Sequence, residues 1–248
     1  MIKYRLAHYL AQCDVASRRQ CARMIQAQRV CINGVLARHN DHVFVANEHQ
    51  QAVDHLGHLL SITVDGQALL PVSQKVYWLY HKPVGIDCRL LPDDPSSLLH
   101  QLPVSPRVYP AGRLDKDSRG LLLLTNDGDL TQRLMHPDFQ HTKTYLVTVN
   151  KPFDSQFILQ MAAGVSYQVA NKSITTLPCK ALQVAENKFE IVLTQGLNRQ
   201  IRRMCLALGF RVTDLFRVAI AGVELGLLEQ TKRRPVTAAE LAMLNQFN

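Results

Sequence analysis

The residues most able to do chemistry are crowded into one short turn. Arg113, Asp115, Lys116, Asp117 and Arg119 lie within residues 112–120 and run directly into Leu121, Leu122, Leu123 and Leu124. Carboxylates set among guanidinium and ammonium groups suit acid–base or nucleophilic work, provided the turn is held still. The four leucines, bounded by Gly120 and by Asn126-Asp127-Gly128, read as a fully buried strand. Such a strand ties the turn to the core. Two simpler readings compete. Asp115, Asp117 and Gly120 match the first, third and sixth places of a calcium loop. The fifth place is then Arg119 and the twelfth Asn126, which leaves the ion short of oxygen and beside a positive charge. An ordinary charged turn with an Arg–Asp pair is the other alternative.

The wider composition points to a polyanion. With 28 Lys and Arg against 20 Asp and Glu, the 248-residue chain carries a formal charge of +8. The excess falls on two stretches. Lys3, Arg5, Arg18, Arg19, Arg23, Arg29 and Arg38 face the single acid Asp14 within residues 1–40, and Arg199, Arg202, Arg203, Arg211 and Arg217 face Asp214 within 196–217. Cys13, Cys21, Cys31, Cys88, Cys179 and Cys205 have no metal-site rhythm and read as small apolar core residues of a reduced, cytoplasmic protein. No segment has the ~18 apolar residues of a membrane span, and no secretion signal is visible.

The elements that must position these groups can be taken in order. Leu6, Tyr9, Leu10 and Cys13 mark one helical face. Ser17-Arg-Arg-Gln20 forms a capping box before a second helix with Cys21, Met24, Ile25 and Gln28 along one side. Residues 30–32 read as a strand before the Asn33-Gly34 turn. Residues 38–60, rich in His39, His42, His49, His55 and His58, read as a polar surface insertion; the histidines follow no metal spacing. A strand at 60–64 and a linker at 71–75 follow. Strands are expected at 76–80, 143–149, 165–169, 179–185, 189–193 and 211–220, and helices at 129–135 and 237–245. Residues 86–108 form an irregular crossing. In a further helix, Ile201, Met204, Cys205 and Leu208 share an apolar face, with Arg199, Arg202 and Arg203 elsewhere on its surface.

Several of these strings resemble one family. Gly112-Arg-Leu-Asp115, Asp117-Ser-x-Gly120-Leu-Leu and Thr125-Asn-Asp-Gly128 are similar to the catalytic signature of bacterial RNA pseudouridine synthases, in the branch that modifies ribosomal RNA. Lys143-x-Tyr145-Leu-Val resembles the second motif of the family, and Asn198-Arg-Gln-Ile-Arg-Arg-Met204 the third. The preceding Gln195-Gly-Leu is most similar to the F type among the synthases of large-subunit RNA. His81 departs from the usual asparagine of the Asn-Lys-Pro-x-Gly string. Residues 1–70, with Arg5-Leu, Tyr9-Leu-Ala, Ala16-Ser-Arg-Arg, Ile25, Arg29-Val and Ile32-Asn-Gly34, resemble an S4-type RNA-binding domain.

The resemblance implies an α+β protein: the S4-type domain over 1–70, joined to a catalytic domain over 75–248 with a central mixed, mainly antiparallel sheet flanked by helices. It implies that Asp115 is the essential nucleophile or base, that Tyr145 stacks on the target base, and that Arg202 pairs with the aspartate. Arg113 would enter the space the base vacates, Arg18, Arg19 and Arg23 would face phosphates, and Lys143, Arg199 and Arg203 would contact RNA. The implied reaction breaks the N1–C1′ bond of a uridine, turns the base and rejoins it through C5, with no cofactor and no metal. Asp115 attacks the sugar, removes a C2′ proton or adds to C6, and the residues do not choose among these routes. The implied partner is ribosomal RNA, with a transfer RNA as a further candidate, and the expected state is a monomer. A catalytically silent ribosome-assembly protein on the same scaffold is the competing reading.

Overall fold

The computed structural model describes residues 1–45, 51–70 and 74–246. They divide into two compact units, one of Met1–Lys75 with Val104–Arg107, the other of Val76–Pro103 with Val108–Asn248.

The first unit opens with β1 (Ile2–Arg5), α1 (Leu6–Gln12) and α2 (Arg18–Gln26). Short strands follow: β2 (Val30–Ile32), β3 (Val35–Leu36), β4 (His42–Val45), β5 (Ala52–Val53), β6 (Ile62–Val64) and β7 (Gln67–Ala68). The capping box forms as read: Ser17 Oγ accepts from Gln20 N while Gln20 Oε1 accepts from Ser17 N. Helix α2 stops at Gln26, and Gln28 lies beyond it with φ 58°, so the apolar side of the helix is shorter than expected. Leu6, Leu10, Cys21, Ile25, Val30 and Val43 form the core.

The insertion reading of residues 38–60 needs correction. Within it β4 pairs antiparallel with β1 and β5, and Val43, Val45, Ala52 and Val53 are buried. Alternation in His42-Val-Phe-Val45 is the strand signal that the surrounding polar residues hide. His49 lies outside the described residues. Among the described residues, no three His, Cys, Asp or Glu side chains come together as metal ligands.

The second unit is built on β8 (Tyr77–Lys82), β9 (Tyr109–Ala111), β10 (Arg119–Thr125), α3 (Gly128–Met135), β11 (Lys143–Val149) and α4 (Ser155–Ala163). It continues with β12 (Ser166–Val169), β13 (Lys172–Thr175), β14 (Lys180–Ala185), β15 (Lys188–Leu193), α5 (Gln200–Ala207) and β16 (Val212–Ile220). Strands β17 (Val223–Glu224) and β18 (Arg233–Pro235) and helix α6 (Ala238–Asn245) complete it. One sheet runs in the order β14-β15-β11-β16-β10-β8-β18, with β17 added to β16 and β9 to β10. All its pairings are antiparallel except β10 with β16. It is a mixed, mainly antiparallel sheet with helices packed on it, an α+β unit.

Helix α4 goes unforeseen, although Asp154 caps it by accepting from Phe157 N, and Phe157 and Met161, one turn apart, are buried. Strand β12 forms where the sequence places a strand and pairs with β13 in a hairpin separate from the main sheet.

Strand β10 explains the four leucines. It lies between β16 and β8, and Leu121, Leu122, Leu123 and Leu124 are all essentially inaccessible. Leu121 and Leu123 join one apolar cluster and Leu122 and Leu124 another, so both faces of the strand are covered. Burial of each contributes roughly 1.5–3 kcal/mol relative to exposure. At the head of the strand Gly120 has φ 116°, and a Cβ there would collide with the Arg217 backbone. Glycine is what lets the parallel strand approach.

Candidate active site

The acidic turn is held largely through its main chain. Ser118 N donates to Asp115 C=O at 3.0 Å, and Gly85 N donates to Lys116 C=O at 2.8 Å. Lys82, with no accessible surface, donates from Nζ to Pro83 C=O at 2.8 Å and Ser118 C=O at 2.7 Å. Burial pushes its ammonium down to about 8, while nearby Cys88, Asp117, Asp115 and Asp87 pull it back up. Arg202, from α5, donates from Nη2 to Asp117 C=O at 2.7 Å and Ser118 Oγ at 3.1 Å, and from Nη1 to Val212 C=O at 3.3 Å. Two buried or half-buried cations thus grip consecutive carbonyls.

The two carboxylates of the turn have different fates. Asp117 forms a bidentate pair with Arg199, at 3.1 and 2.8 Å. Burial would raise its carboxyl, but Arg199 and Arg202 hold it below the usual range. Asp115 accepts no hydrogen bond from any described side chain; its ion pair is with Arg199 Nη1 at 3.9 Å. The carboxylate is 27% exposed and lines a cavity of about 840 Å³ within the second unit. Its backbone is fixed and its oxygens are uncommitted.

This geometry corrects one expectation. Arg202 makes no ion pair with Asp115; the carboxylate it approaches is that of Asp117, at 3.5 Å. The cause is helical position. Arg199 is the left-handed N-cap of α5, φ 51°, and reaches the carboxylates, whereas Arg202 lies within the helix with its side chain 13% exposed, under the turn's carbonyls. Arg203 bonds Asn198 Oδ1 instead of an acid.

The opposite wall comes from β11 and β16. Tyr145 lines the cavity and pairs with Arg217 across the strands, where β16 carries a bulge. Lys143 also lines it; burial, with Arg217 nearby, pushes its ammonium down to about 8. His141 is buried beside them and pushed down by burial, Lys143 and Arg133. Arg113 is exposed at the cavity edge. Arg18, Arg19 and Arg23 are exposed on α2 of the first unit. His81, the departure from the motif, is buried away from the cavity, bonded to Leu228 C=O at 2.7 Å and stacked on Phe216 at 5.5 Å. Arg217 and His141 are the site residues that sequence reasoning overlooks. Arg217 had a signal: a charged residue two places from Leu215, on the buried side of an alternating strand.

Comparison with known proteins agrees with this arrangement. Residues 76–207 match the family model described as RNA pseudouridylate synthase. The chain is 36% identical over 239 residues to the dual-specificity RNA pseudouridine synthase RluF of Escherichia coli (strain K12), covering 96% of this chain and 77% of that protein. It is 31% identical over 241 residues to the ribosomal small subunit pseudouridine synthase A of the same organism, covering 96% and 98% of the two chains. With the ribosomal large subunit pseudouridine synthase B of Yersinia pestis it shares 32% identity over 224 residues, 89% and 68% of the two chains. A crystal structure of a pseudouridylate synthase, 29% identical, superposes with a TM-score of 0.67 over 97% of this chain and 99% of that one.

Proposed function

The chain belongs to the RNA pseudouridine synthase family, and from that premise we propose that it converts a uridine of large-subunit ribosomal RNA to pseudouridine with Asp115 as the acting carboxylate. The isomerase activity itself is that of the family; RNA is its substrate class. The observation that carries the assignment of Asp115 is the contrast within the turn. Asp117 is neutralised by Arg199, while Asp115 is held by its backbone and keeps its oxygens facing the cavity. A carboxylate so placed can attack C1′, take a C2′ proton or add to C6 without first breaking a hydrogen bond.

The other walls fit a flipped base. Extruding a base from its stack costs a few kcal/mol, and an aromatic face such as Tyr145 returns about 1–3 kcal/mol per stacked base. Arg113, exposed beside Asp115, fills the gap left in the RNA. Arg202 acts as a positioning residue, since it grips the turn and not the reacting carboxylate.

We further infer that the first unit is an S4-type RNA-binding domain whose Arg18, Arg19 and Arg23 contact phosphates, aided by the positive N-terminus of α2. Arg199 and Arg203 add charge beside the cavity. The preference for large-subunit RNA rests on the F-type resemblance of Gln195-Gly-Leu and on the similarity to the large-subunit synthase B, while the name of RluF records dual specificity. A transfer RNA is the second substrate to test. On this reading the enzyme works as a monomer in the cytoplasm, where ribosomal RNA is found. Among the described residues, no helix is long and apolar enough to cross a membrane.

Tritium release from ribosomal RNA made with C5-labelled uridine tests the reaction, because joining C1′ to C5 expels that hydrogen. The wild-type chain is expected to release tritium and Asp115→Asn to release none. Release by both would move the acting group elsewhere; release by neither, on ribosomal or transfer RNA, would overturn the substrate reading.

A further inference from the structure

Behind Tyr145 the cavity wall holds two cations and no acid. Lys143 Nζ bonds only to His141 C=O, at 3.2 Å, and has no carboxylate partner among the described residues. Arg217 is 2% exposed; its Nε donates to Leu121 C=O at 2.8 Å, and its Nη2 is buried without a partner. His141 Nε2 is likewise buried and unpartnered. A desolvated cation is expensive without an opposite charge, and two side by side are worse. Arg119, Arg199 and Arg202, the other arginines packed around the turn, each have a carboxylate or a set of carbonyls. This pair is left waiting for an anion.

Position decides which anion. Lys143 and Tyr145 are two residues apart on β11, and Arg217 is the cross-strand partner of Tyr145, so the two cations flank the ring proposed to carry the base. We propose that Lys143 and Arg217 form a base-anion site that holds the detached uracil while its point of attachment changes. The proposal rests on the isomerase reading above. With Asp115 acting on the sugar, the electron pair of the N1–C1′ bond leaves with the base. Uracil then bears one negative charge shared over N1, O2 and O4. The sugar is satisfied either by an Asp115 oxygen bonding to C1′ or by loss of the C2′ proton to Asp115. In the second half, the C5 pair forms the bond to C1′ as Asp115 departs, or as C2′ regains its proton. The C5 hydrogen leaves as a proton, and N1 takes one up. Lys143 and Arg217 meet the charge at the stage where it is largest, which lowers the barrier and not merely the binding free energy.

Single-turnover reactions with enzyme in excess test this, using two transcripts that carry uridine or 5-fluorouridine. Loss of the starting nucleoside is followed after digestion. Fluorine stabilises the departing anion, so the need for the cations should weaken. Lys143→Met is expected to slow the uridine reaction roughly 10²–10³-fold. On 5-fluorouridine the loss should be at least about ten-fold smaller. RNA affinity should change less than about three-fold. Arg217→Met should follow the same pattern, and Lys143→Arg and Arg217→Lys, which keep the charge, should recover much of the rate. Thermal melting of each variant checks the fold, and Lys143→Arg against Lys143→Met keeps the test valid if Arg217 variants fold poorly. Equal losses on both transcripts would overturn the site. So would weaker binding with a salt slope reduced by about one and an unchanged saturating rate, the mark of a phosphate contact. If the wild-type chain isomerises uridine and Lys143→Met matches it, this site falls and the isomerase stands. If the wild-type chain isomerises neither RNA class, the substrate reading falls first.

Discussion

Replacing Gly120 by alanine strikes the junction between the acidic turn and the sheet. Gly120 pairs with Arg217 across the parallel β10–β16 contact and has φ 116°, a conformation that L side chains rarely adopt. A Cβ at this position would sit 2.7 Å from Arg217 N and 2.9 Å from Arg217 C, and closer still to its carbonyl oxygen. Carbon contacts are comfortable only near ~3.5–4.0 Å, so the strands must part by about 1 Å. No flexible side chain can give way, because the obstacle is backbone. Strain from the dihedral is about 1–3 kcal/mol, and overpacking adds about 1–3 kcal/mol. A combined loss near ~4 kcal/mol, at a urea slope of about 3 kcal/mol/M, lowers the midpoint by more than about 1 M. Trp78 is the single tryptophan of the chain and pairs with Leu124 of β10, so its fluorescence reads the unfolding of this unit directly. Tritium release should fall together with the midpoint, since the same contact sets Asp115 opposite Arg217. A midpoint within about 0.3 M of the wild type would refute the reasoning.

Two further outcomes are expected. Replacing Arg18 and Arg19 together by alanine should lower the slope of log affinity against log salt by about 1.4–1.8, uniformly across RNA sequences; an unchanged slope would remove α2 from the RNA contact. Glu240 bonds Arg234 in a bidentate pair and caps α6, and these contacts hold its carboxyl down at about 2. Its folded value lies below its unfolded one, so its stabilisation is complete above about pH 4.5 and disappears as the pH falls through about 2. Glu240→Gln should therefore flatten the acid limb of a plot of urea midpoint against pH between these values, and parallel curves for the two proteins would contradict the pairing.

The sequence carries most of the local structure and part of the site. Four leucines between Gly120 and an Asn-Asp-Gly turn announce a strand buried on both faces, because a continuous apolar run has no other stable place. The Ser17–Gln20 capping box and the apolar face of α5 are equally local signals. What is lost is whatever depends on partners far along the chain. Strand β4 is paired with β1 across more than thirty residues, and its short alternation is swamped by neighbouring histidines. Arg202 and Arg199 belong to one motif, and only the packing of α5 shows that the first grips carbonyls while the second meets carboxylates. Arg217 stands in a strand whose alternation demands an apolar residue. That conflict between pattern and charge is a mark of a functional position.

The clamp on the turn reads mostly the main chain. Lys82, Gly85 and Arg202 hold the carbonyls of Lys116, Asp117 and Ser118, leaving the side chains of Arg113 and Lys116 exposed and unconstrained. Asp115 is therefore anchored without help from the side chains of Arg113 and Lys116. These two exposed positions can be exchanged to suit a different RNA surface without displacing the reacting carboxylate, so a library confined to residues 113 and 116 is where retargeting of this scaffold should begin.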